Sequence, residues 1–478
     1  MQPFRTQAQR QAALINAAED AKPQKLLAQS LRGMKDSYGD EQAYWQWMES
    51  IANDLAASYR FEKIELPIVE STTLFARTIG KATDIVEKEM FSFVDKGGDH
   101  VTLRPEATAS IARAYVQHGM LNLPQPVRLW YWGPMFRHER PQSGRLRQFF
   151  QYGCEIIGDA TPMLDALTIS TAFAFCRALG LETSIHINSI GCSVCRPQYI
   201  EELVAFYRSR RGTMCLECKK RIQKNPLRVL DCKEQQCLVL REEAPQFVDS
   251  LCEQCKDHFM KTLEYCDELE IPYQLQPTLV RGLDYYTKTV FELYESTESG
   301  RQDALGGGGR YDGLVEMIGG RPTPAVGFAL GVERIVSRLR AKGIAPQVPT
   351  KPEIFVAQLG EAARRKALRL FGLLRAEGYR VAEAFSKDGL KPQLEIANAL
   401  KVSYTVIIGQ KEVLDQTVLV RDMDGGSQEI VEYDMIVKEM RSRLRGNEIR
   451  ITKNPVVVQT QTDLPVETLV KEEEPKNE

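Results

Sequence analysis

The sequence MFRHERPQSGRLRQFFQYGCEIIG spans Met135–Gly158 and decides the fold class. Its second half, FFQYGCEIIG, is strand-like and follows another strand-like run, VRLWYWG at Val127–Gly133, across a polar loop. A third such run, VTLRP, begins at Val101. Short strand-like runs separated by polar loops are typical of an antiparallel sheet, whereas regular alternation of strands and helices indicates a parallel one. The sequence therefore predicts an antiparallel sheet and disfavours a Rossmann fold.

The sequence around this stretch divides into segments of different character. Helical spacing of apolar residues predicts a helix over Asp40–Tyr59 and another near Met163–Leu179. Residues 191–266 are Cys-rich, charged and helix-like, and sheet-like sequence resumes after them. We therefore expect an α+β domain over residues 31–190 and 267–343, interrupted by a Cys-rich helical insertion over residues 191–266.

The C-terminal part of the chain follows a Pro-rich linker, GIAPQVPTKP, at residues 343–352. Strand-like runs then alternate with helical ones, which predicts a small α/β domain with a largely parallel sheet over residues 352–445. Residues 446–478 end in KEEEPKNE and are predicted to be disordered. Residues 1–30 form a polar extension, to which the sequence assigns no function.

Composition and charge exclude several classes of protein. The chain has 478 residues, too many for one core, and its 43% hydrophobic and 26% charged residues are ordinary for a soluble protein. A formal net charge of −2 argues against binding nucleic acid by bulk positive charge, so any RNA contact would use local basic patches. With no apolar run of about 18 residues and no signal-peptide core, we expect a cytoplasmic protein without a membrane partner.

Eight of the eleven cysteines cluster between residues 191 and 266. They form three C-x₂-C pairs and one C-x₄-C pair, which could complete two tetrahedral zinc sites. The alternative is that no metal is bound, with the thiols packed as small hydrophobes or left from a ribbon that has lost its metal. The sequence leaves both open for Cys192, Cys195, Cys215, Cys218, Cys232, Cys237, Cys252 and Cys255.

Three stretches resemble the motifs of class II aminoacyl-tRNA synthetases. Met135–Gly158 resembles motif 2, whose strands and loop hold the ATP phosphates and the acceptor end of tRNA. GFALGVERIVSRL at Gly327–Leu339 resembles motif 3, and ELPIVE at Glu65–Glu70 with its upstream helix is similar to the weaker motif 1. The resemblance implies the antiparallel sheet, flanked by helices, that this class shares.

Two further stretches narrow the resemblance to the histidyl-tRNA synthetase family. They are TLVRGLDYYTKTVFE at Thr278–Glu292 and DALGGGGRYDGLVEMIGG at Asp303–Gly320. RGMKD at Arg32–Asp36 and TLRPEATASIARAYVQHG at Thr102–Gly119 are also similar to that family. By this resemblance the interrupted domain is catalytic, the insertion clasps the tRNA acceptor arm, and residues 352–445 bind the anticodon.

The resemblance also implies an activity. A histidyl-tRNA synthetase uses ATP with Mg²⁺ to convert L-histidine to histidyl-adenylate, releases pyrophosphate, and transfers histidine to the 3′ end of tRNA(His). Motif 1 in this class builds a homodimer interface. An alternative is a synthetase-like regulatory subunit of histidine biosynthesis, but such paralogues lack the C-terminal domain. A tRNA-sensing module without catalysis is expected to lose Arg137 or Arg281, and both are present.

Three arginines are the candidate phosphate and nucleotide ligands. Activation brings two anions together, so fixed cations must stabilise the transition-state charge, and the planar guanidinium suits phosphate oxygens. By resemblance, Arg137 and Arg281 contact the α-phosphate as catalytic residues, and Arg334 lies near adenine and the γ-phosphate.

Acids, hydroxyls and amides are the candidate histidine ligands. A site that hydrogen-bonds particular polar atoms rejects analogues lacking them far better than an apolar pocket does. By resemblance, Glu106, Thr108 and Gln151 hold the α-ammonium and carboxylate of histidine. Glu155 and Tyr286 meet the imidazole, and Tyr285 shapes the pocket.

Four other features near the motifs carry weaker expectations. The glycines at Gly306–Gly309 would let the backbone approach a bound ligand closely. The loop Arg140–Arg147 carries three arginines that suit an RNA acceptor stem. His138 is expected to be structural, and Phe150 replaces a polar residue or His found in many relatives.

Overall fold

The structure is a computed structural model that describes residues 29–80, 83–139, 145–295, 304–347 and 351–444. The chain divides into two compact units, Met1–Val348 and Pro349–Glu478. The predicted disordered tail and nearly all of the predicted N-terminal extension lie outside the described residues.

The first unit is built on an eight-stranded sheet with the order β1-β5-β6-β11-β10-β9-β7-β8, and a small sheet with the order β2-β4-β3 lies beside it. The strands from β5 to β7 across the large sheet pair antiparallel, and only the two outer pairs, β1 with β5 and β7 with β8, are parallel. The predicted antiparallel sheet is therefore confirmed at the centre of the fold. The strands are β1 Glu62–Lys63, β2 Val69–Ser71, β3 Phe91–Val94, β4 His100–Leu103, β5 Val127–Phe136, β6 Gln148–Ile157, β7 Thr183–Ser189, β8 Tyr273–Leu275, β9 Thr287–Glu295, β10 Gly306–Arg310 and β11 Ala325–Gly331.

The helices of the first unit cover both faces of the large sheet. The helix predicted over Asp40–Tyr59 is confirmed as α1. The run after it, in which apolar Ile64, Leu66 and Ile68 alternate as in a strand, forms none and falls between β1 and β2. Pro67 in that run has no N–H to donate to a neighbouring strand. The helices are α1 Asp40–Ser58, α2 Thr72–Thr78, α3 Thr108–Gln117, α4 Pro162–Ala178, α5 Arg196–Ser209, α6 Leu216–Lys224, α7 Gln235–Glu242, α8 Glu253–Glu268, α9 Leu314–Met317 and α10 Val332–Ala341.

Alternate side chains of β6 face opposite sides of the large sheet, and one set points into the helical core. Tyr152, Cys154 and Ile156 join one buried cluster with residues of α1, α4, α8 and α10. The Tyr152 ring lies 4.5 Å from that of Phe175 on α4. Burying apolar side chains of this size stabilises the fold by about 1.5 to 3 kcal/mol each. Since successive strand residues face opposite ways, the residues between them face the other side of the sheet.

A buried ionic network joins three elements of this core. Arg310, at the end of β10, is fully buried and pairs with Asp165 of α4 and with Asp312, 3.1 Å away. His258 of α8 lies 2.7 Å from the second Asp165 oxygen. Arg310 also donates to the main-chain oxygens of Asp159 and Thr161. Satisfying a buried guanidinium in this way fixes β10 relative to α4 and α8.

The second unit has a five-stranded sheet with the order β13-β12-β14-β15-β16. Its first three strands are parallel, as predicted, but β15 and β16 add in antiparallel fashion. The prediction of a largely parallel sheet missed this hairpin. The turn after Asp422 makes it, because the Asp422 carboxylate accepts from the N–H groups of Asp424 and Gly425. The elements are β12 Ile354–Gln358, α11 Glu361–Ala376, β13 Val381–Glu383, α12 Leu390–Leu400, β14 Tyr404–Ile408, α13 Gln410–Asp415, β15 Thr417–Asp422, β16 Gln428–Glu432 and α14 Ile436–Leu444.

Among the described residues, no helix combines the length and apolar character that crossing a membrane requires.

Candidate active site

A cleft of about 2150 Å³ opens on the face of the large sheet opposite the helical core. Strands β6, β9, β10 and β11 contribute residues to it, and residues of the Cys-rich segment line another wall. Eight of the nine predicted site residues line this cleft: Glu106, Thr108, Arg137, Gln151, Arg281, Tyr285, Tyr286 and Arg334. The ninth, Glu155, is buried directly behind Thr108.

Glu155 is held in a pocket that its neighbours are shaped to fit. The Thr108 hydroxyl donates to one carboxylate oxygen at 2.8 Å, and the Tyr311 hydroxyl donates to the other. Gly327 lies opposite Glu155 on β11, and a Cβ there would collide with the carboxylate. Burial raises the pKa of Glu155 to about 8, against the two hydrogen bonds that lower it. Near neutral pH the Glu155 carboxyl is therefore mostly uncharged.

Glu106 lies two residues before α3 begins, close to Glu155. Its carboxylate accepts from the N–H groups of Thr108 at 2.7 Å and Ala109 at 2.9 Å, which satisfies two donors of the first helical turn. Burial raises the pKa of Glu106, although these hydrogen bonds lower it. A carboxylate has about four lone-pair sites, so two backbone contacts leave capacity for a ligand.

Tyr285 and Tyr286 lie in the turn before β9 and are both buried. Their ring centroids are 4.7 Å apart, and the Tyr285 ring meets that of Tyr311 edge-on at 5.7 Å. The Tyr285 hydroxyl lies 3.5 Å from Glu106. The three rings together form an aromatic wall next to the two carboxyl groups.

Arg281 is held over the glycine-rich strand. Its guanidinium pairs with Glu292 of β9 and lies 5.8 Å from the Tyr286 ring centroid. A Cβ at Gly307 would collide with the main-chain oxygen of Phe291 and would lie 3.0 Å from the Arg281 guanidinium, so glycine leaves room for both. The Arg281 Nε is buried and has no hydrogen-bond partner within the described part of the chain.

Arg137 leaves the end of β5 and enters the same cleft. Its Nε donates to the main-chain oxygen of Pro105 at 2.9 Å, and its guanidinium lies 5.3 Å from the Phe149 ring centroid. Gln151, two residues beyond Phe149, faces the same side, and its Oε1 is buried without a partner among the described residues. Both side chains are thus fixed by their strands before any ligand binds.

Arg334 lies near the start of α10, where it donates to the main-chain oxygen of Ala304 at 2.7 Å. The neighbouring Glu333 accepts from the Phe150 N–H at 3.0 Å, and burial raises the pKa of Glu333 to about 7. The Phe150 side chain lies on the helical face, edge-on to Trp45 at 4.6 Å. The replacement at Phe150 therefore affects the core behind the cleft and not its lining.

Two tyrosines of the site, Tyr311 and Tyr131, were not predicted from the sequence. Tyr311 follows Arg310 in the glycine-rich motif, and its bond to Glu155 becomes visible only when β10 is placed beside β11. Tyr131 on β5 lines the cleft, and its buried hydroxyl has no partner in the described structure. The alternation of WYW in β5 was the available signal for Tyr131.

His138 and the loop Arg140–Arg147 are two further features near motif 2. The His138 ring packs edge-on against Phe91 at 5.3 Å, in keeping with a structural role. Residues 140–144 of the arginine-rich loop, Arg140 among them, lie outside the described residues. Arg145 lines the cleft and lies 3.2 Å from Glu139.

The antiparallel sheet, the two guanidinium groups over its floor and the separate α/β unit together make this chain a class II aminoacyl-tRNA synthetase, an enzyme of the ligase class. A family model described as Histidyl-tRNA synthetase matches residues 33–335, and one described as Anticodon binding domain matches residues 353–443. The chain belongs to the histidyl-tRNA synthetase family.

Similar proteins extend over most of the chain. It is 42% identical to a histidine–tRNA ligase of Dehalococcoides mccartyi over 417 residues, which covers 87% of this chain and 100% of that protein. The enzyme of the same name from Pelotomaculum thermopropionicum is 44% identical over 416 residues, covering 87% and 98%. The crystal structure of apo S. aureus histidyl-tRNA synthetase is 34% identical, with a TM-score of 0.74 and coverage of 86% and 99%. These comparisons favour the ligase over the regulatory-subunit alternative.

Proposed function

We propose that the cleft condenses L-histidine with ATP to form histidyl-adenylate and then transfers histidine to the 3′ end of tRNA(His). The observation that carries this proposal is the juxtaposition of Arg137 and Arg281 with the buried carboxyl groups of Glu106 and Glu155 around one cleft. Cations that suit phosphate and acids that suit an amino acid and its imidazole are both needed for this reaction.

The two arginines stabilise the α-phosphate as the histidine carboxylate attacks it. The new bond joins carboxylate oxygen to phosphorus, and the bond from phosphorus to the pyrophosphate oxygen breaks. Because Arg137 is anchored on Pro105 and Arg281 on Glu292, neither guanidinium needs to reorganise during the reaction. The free Nε of Arg281 supplies a donor that a phosphate oxygen would satisfy.

Bound together with ATP, Mg²⁺ would supply charge neutralisation at the phosphates. Oxygen ligands suit Mg²⁺, and the carboxylates of Glu292 and Glu333 both line the cleft. Glu292 is paired with Arg281, and both Glu333 oxygens accept from the Phe150 N–H. Each carboxylate would therefore offer a metal only its remaining lone pairs. Arg334, next to Glu333, is assigned by family resemblance to a position near the adenine and the γ-phosphate of ATP.

Histidine selectivity is assigned to the buried polar groups. Glu155 and Tyr286 meet the imidazole, while Glu106, Thr108 and Gln151 hold the α-ammonium and carboxylate. Glu155 already accepts from Thr108 and Tyr311, so an amino acid without ring nitrogens would leave only its remaining hydrogen-bonding capacity unused, at a cost of about 1 to 3 kcal/mol. The aromatic wall formed with Tyr285 restricts the pocket to a flat ring.

Contacts with tRNA are assigned to both units. Arg145, in the motif 2 loop, lines the cleft, and Arg147 lies two residues beyond it; both suit the phosphates of an acceptor stem. Residues 353–443, which match the anticodon-binding family model, are assigned to the anticodon.

A homodimer is supported by exposed apolar residues in and beside the motif 1 segment. Ile68 and Val69 are each 43% exposed, and Phe93 and Val94 of the same small sheet are 45% and 47% exposed. A subunit interface through this sheet would cover them. Light scattering is expected to give twice the mass of the chain, and a fully active monomer would contradict the assignment.

The deciding experiment is ATP–pyrophosphate exchange with each of the twenty amino acids. We expect exchange with histidine alone, followed by charging of tRNA(His). Arg177→Ala, at an exposed residue of α4 outside the cleft, is the matched control for arginine substitutions and should retain exchange. Loss of exchange with every amino acid in the wild-type enzyme would overturn the proposal and favour the regulatory alternative.

A further inference from the structure

Eight cysteines of the segment 191–266 assemble into two separate groups of four. One group contains Cys192, Cys195, Cys252 and Cys255, and the other contains Cys215, Cys218, Cys232 and Cys237. Within each group all four sulfur atoms lie within 4.8 Å of one another. The sequence alone offered four pairs without saying which pairs combine, and the fold joins the first with the last and the second with the third.

The sulfur spacing fits a single tetrahedral ion. Zinc–sulfur bonds of about 2.3 Å place the sulfurs of a regular tetrahedron about 3.8 Å apart. In the first group Cys192 lies 3.8 Å from Cys195 and 3.9 Å from Cys252. In the second, Cys215 lies 3.8 Å from Cys232. A disulfide requires about 2.05 Å, and all eleven cysteines are free.

The backbone around the cysteines is arranged to stabilise thiolates. The N–H of Val194 points to the Cys192 sulfur at 3.4 Å, and the N–H of Cys218 points to the Cys215 sulfur at 3.4 Å. Cys195, Cys215 and Cys252 each stand immediately before a helix, α5, α6 and α8 respectively. Backbone donors and helix starts favour negative charge on sulfur.

We propose that the chain binds two structural zinc ions, each through four cysteine thiolates. In a structural zinc site, four sulfur ligands surround the ion and leave no coordination position for a substrate. Neither ion takes part in the activation reaction, so this inference goes beyond the proposed function and does not depend on it.

The first zinc site closes the base of the inserted segment. Cys192 and Cys195 follow β7, while Cys252 and Cys255 begin α8, so the ion ties together the points where the chain leaves and rejoins the sheet domain. Arg196, next to Cys195, donates to the main-chain oxygen of Tyr286 in the histidine pocket. This ion therefore fixes the segment directly against the active site.

The second zinc site organises the wall that faces the cleft. Cys215 and Cys232 line the cleft, as do Arg228 and Lys233 beside them. The four ligands are spread over α6, the following turn and α7. Cys218, Cys232 and Cys237 are buried in one apolar cluster with Tyr207 and Met214, and small units commonly depend on a metal for added stability. The ion holds these basic side chains at the mouth of the cleft.

Metal analysis of the full-length protein, purified without chelator, tests the proposal. We expect two zinc ions per chain, and X-ray absorption at the zinc edge should show four sulfur neighbours at about 2.3 Å. No zinc overturns both sites, one zinc per chain overturns one of them, and nitrogen or oxygen neighbours overturn the all-cysteine assignment. These measurements need no variant and no activity, so their failure is separate from failure of the proposed function.

Paired substitutions assign each ion to its group. Cys232→Ser with Cys237→Ser should lower the content from two zinc ions to one, and Cys192→Ser with Cys195→Ser should do the same for the other site. Cys176→Ala changes a buried cysteine of α4 outside both groups and should keep two. Two ions in either double variant would overturn that site. If a double variant does not fold, stoichiometric release of two zinc ions from the wild-type chain by a thiol-modifying reagent still decides the count.

Discussion

Glu155→Gln separates the stability of the pocket from its function. The pKa of Glu155 is about 8 in the folded protein, above its ordinary value of 4.5. The folded chain therefore retains a proton that the unfolded chain releases, so the free energy of unfolding falls as pH rises from 4.5 to 8. At about 1.4 kcal/mol per pH unit, this contribution reaches up to about 4 kcal/mol at pH 8. Glutamine cannot ionise and removes that dependence.

The assay is urea unfolding at several pH values, followed by tryptophan fluorescence. All four tryptophans, Trp45, Trp47, Trp130 and Trp132, lie in the first unit, so the signal reports that unit alone. Relative to wild type, Glu155→Gln should gain stability steadily between pH 5.5 and 8. Glu182→Gln, at an exposed position of the same unit, should track wild type.

Glu155→Gln should lower kcat/KM for histidine while it raises the stability of the folded chain. Glutamine in place of the carboxyl that meets the imidazole leaves a buried hydrogen-bonding group of histidine mismatched, at a cost of about 1 to 3 kcal/mol, so kcat/KM for histidine in pyrophosphate exchange should fall about 5- to 100-fold. Identical pH dependence of unfolding in the two proteins would refute the buried, proton-retaining carboxyl. Unchanged histidine kinetics would refute its contact with the ligand.

Three further substitutions test other parts of the structure. Arg137→Ala should lower kcat for histidine-dependent exchange about 10²- to 10³-fold, since it removes a fixed donor at the reacting phosphate, and an unchanged kcat would exclude that role. Gly327→Ala adds a methyl group that collides with Glu155 and should cost about 1 to 3 kcal/mol while raising KM for histidine; stability and kinetics equal to wild type would contradict the packing. Asp165→Ala leaves the buried Arg310 without its main partner and should cost about 3 to 5 kcal/mol in urea unfolding, and a cost below 1 kcal/mol would show that the pair is not integral to the core.

The fold of the first unit follows from local patterns that its sequence makes explicit. Strand period in VRLWYWG and FFQYGCEIIG predicted the central hairpin, and β5 and β6 pair over ten residues each. The same alternation assigns Gln151 to the cleft face. The sequence could therefore predict the position of residues that depends only on the strand that carries them.

The features that the sequence did not predict depend on contacts between segments that are far apart along the chain. The bond from Tyr311 to Glu155 needs β10 and β6 both to flank β11, an order that no local pattern specifies. The grouping of cysteines likewise depends on Cys252 and Cys255, at the start of α8, returning beside Cys192 and Cys195. In the second unit, the β15–β16 hairpin was missed because QEIVE has only a weak apolar alternation and an exposed face.

The long separation between neighbouring strands has a consequence for synthesis of the chain. Strand β6 gains its second neighbour only when β11 arrives, and β11 begins at Ala325 whereas β6 ends at Ile157. At ribosomal rates of about 5 to 20 residues per second, that interval lasts roughly 10 to 30 s. During it, one edge of a largely apolar strand offers unpaired backbone groups to any other chain. The nascent enzyme is thus most exposed to aggregation after its catalytic hairpin has formed and before its glycine-rich strands have been translated.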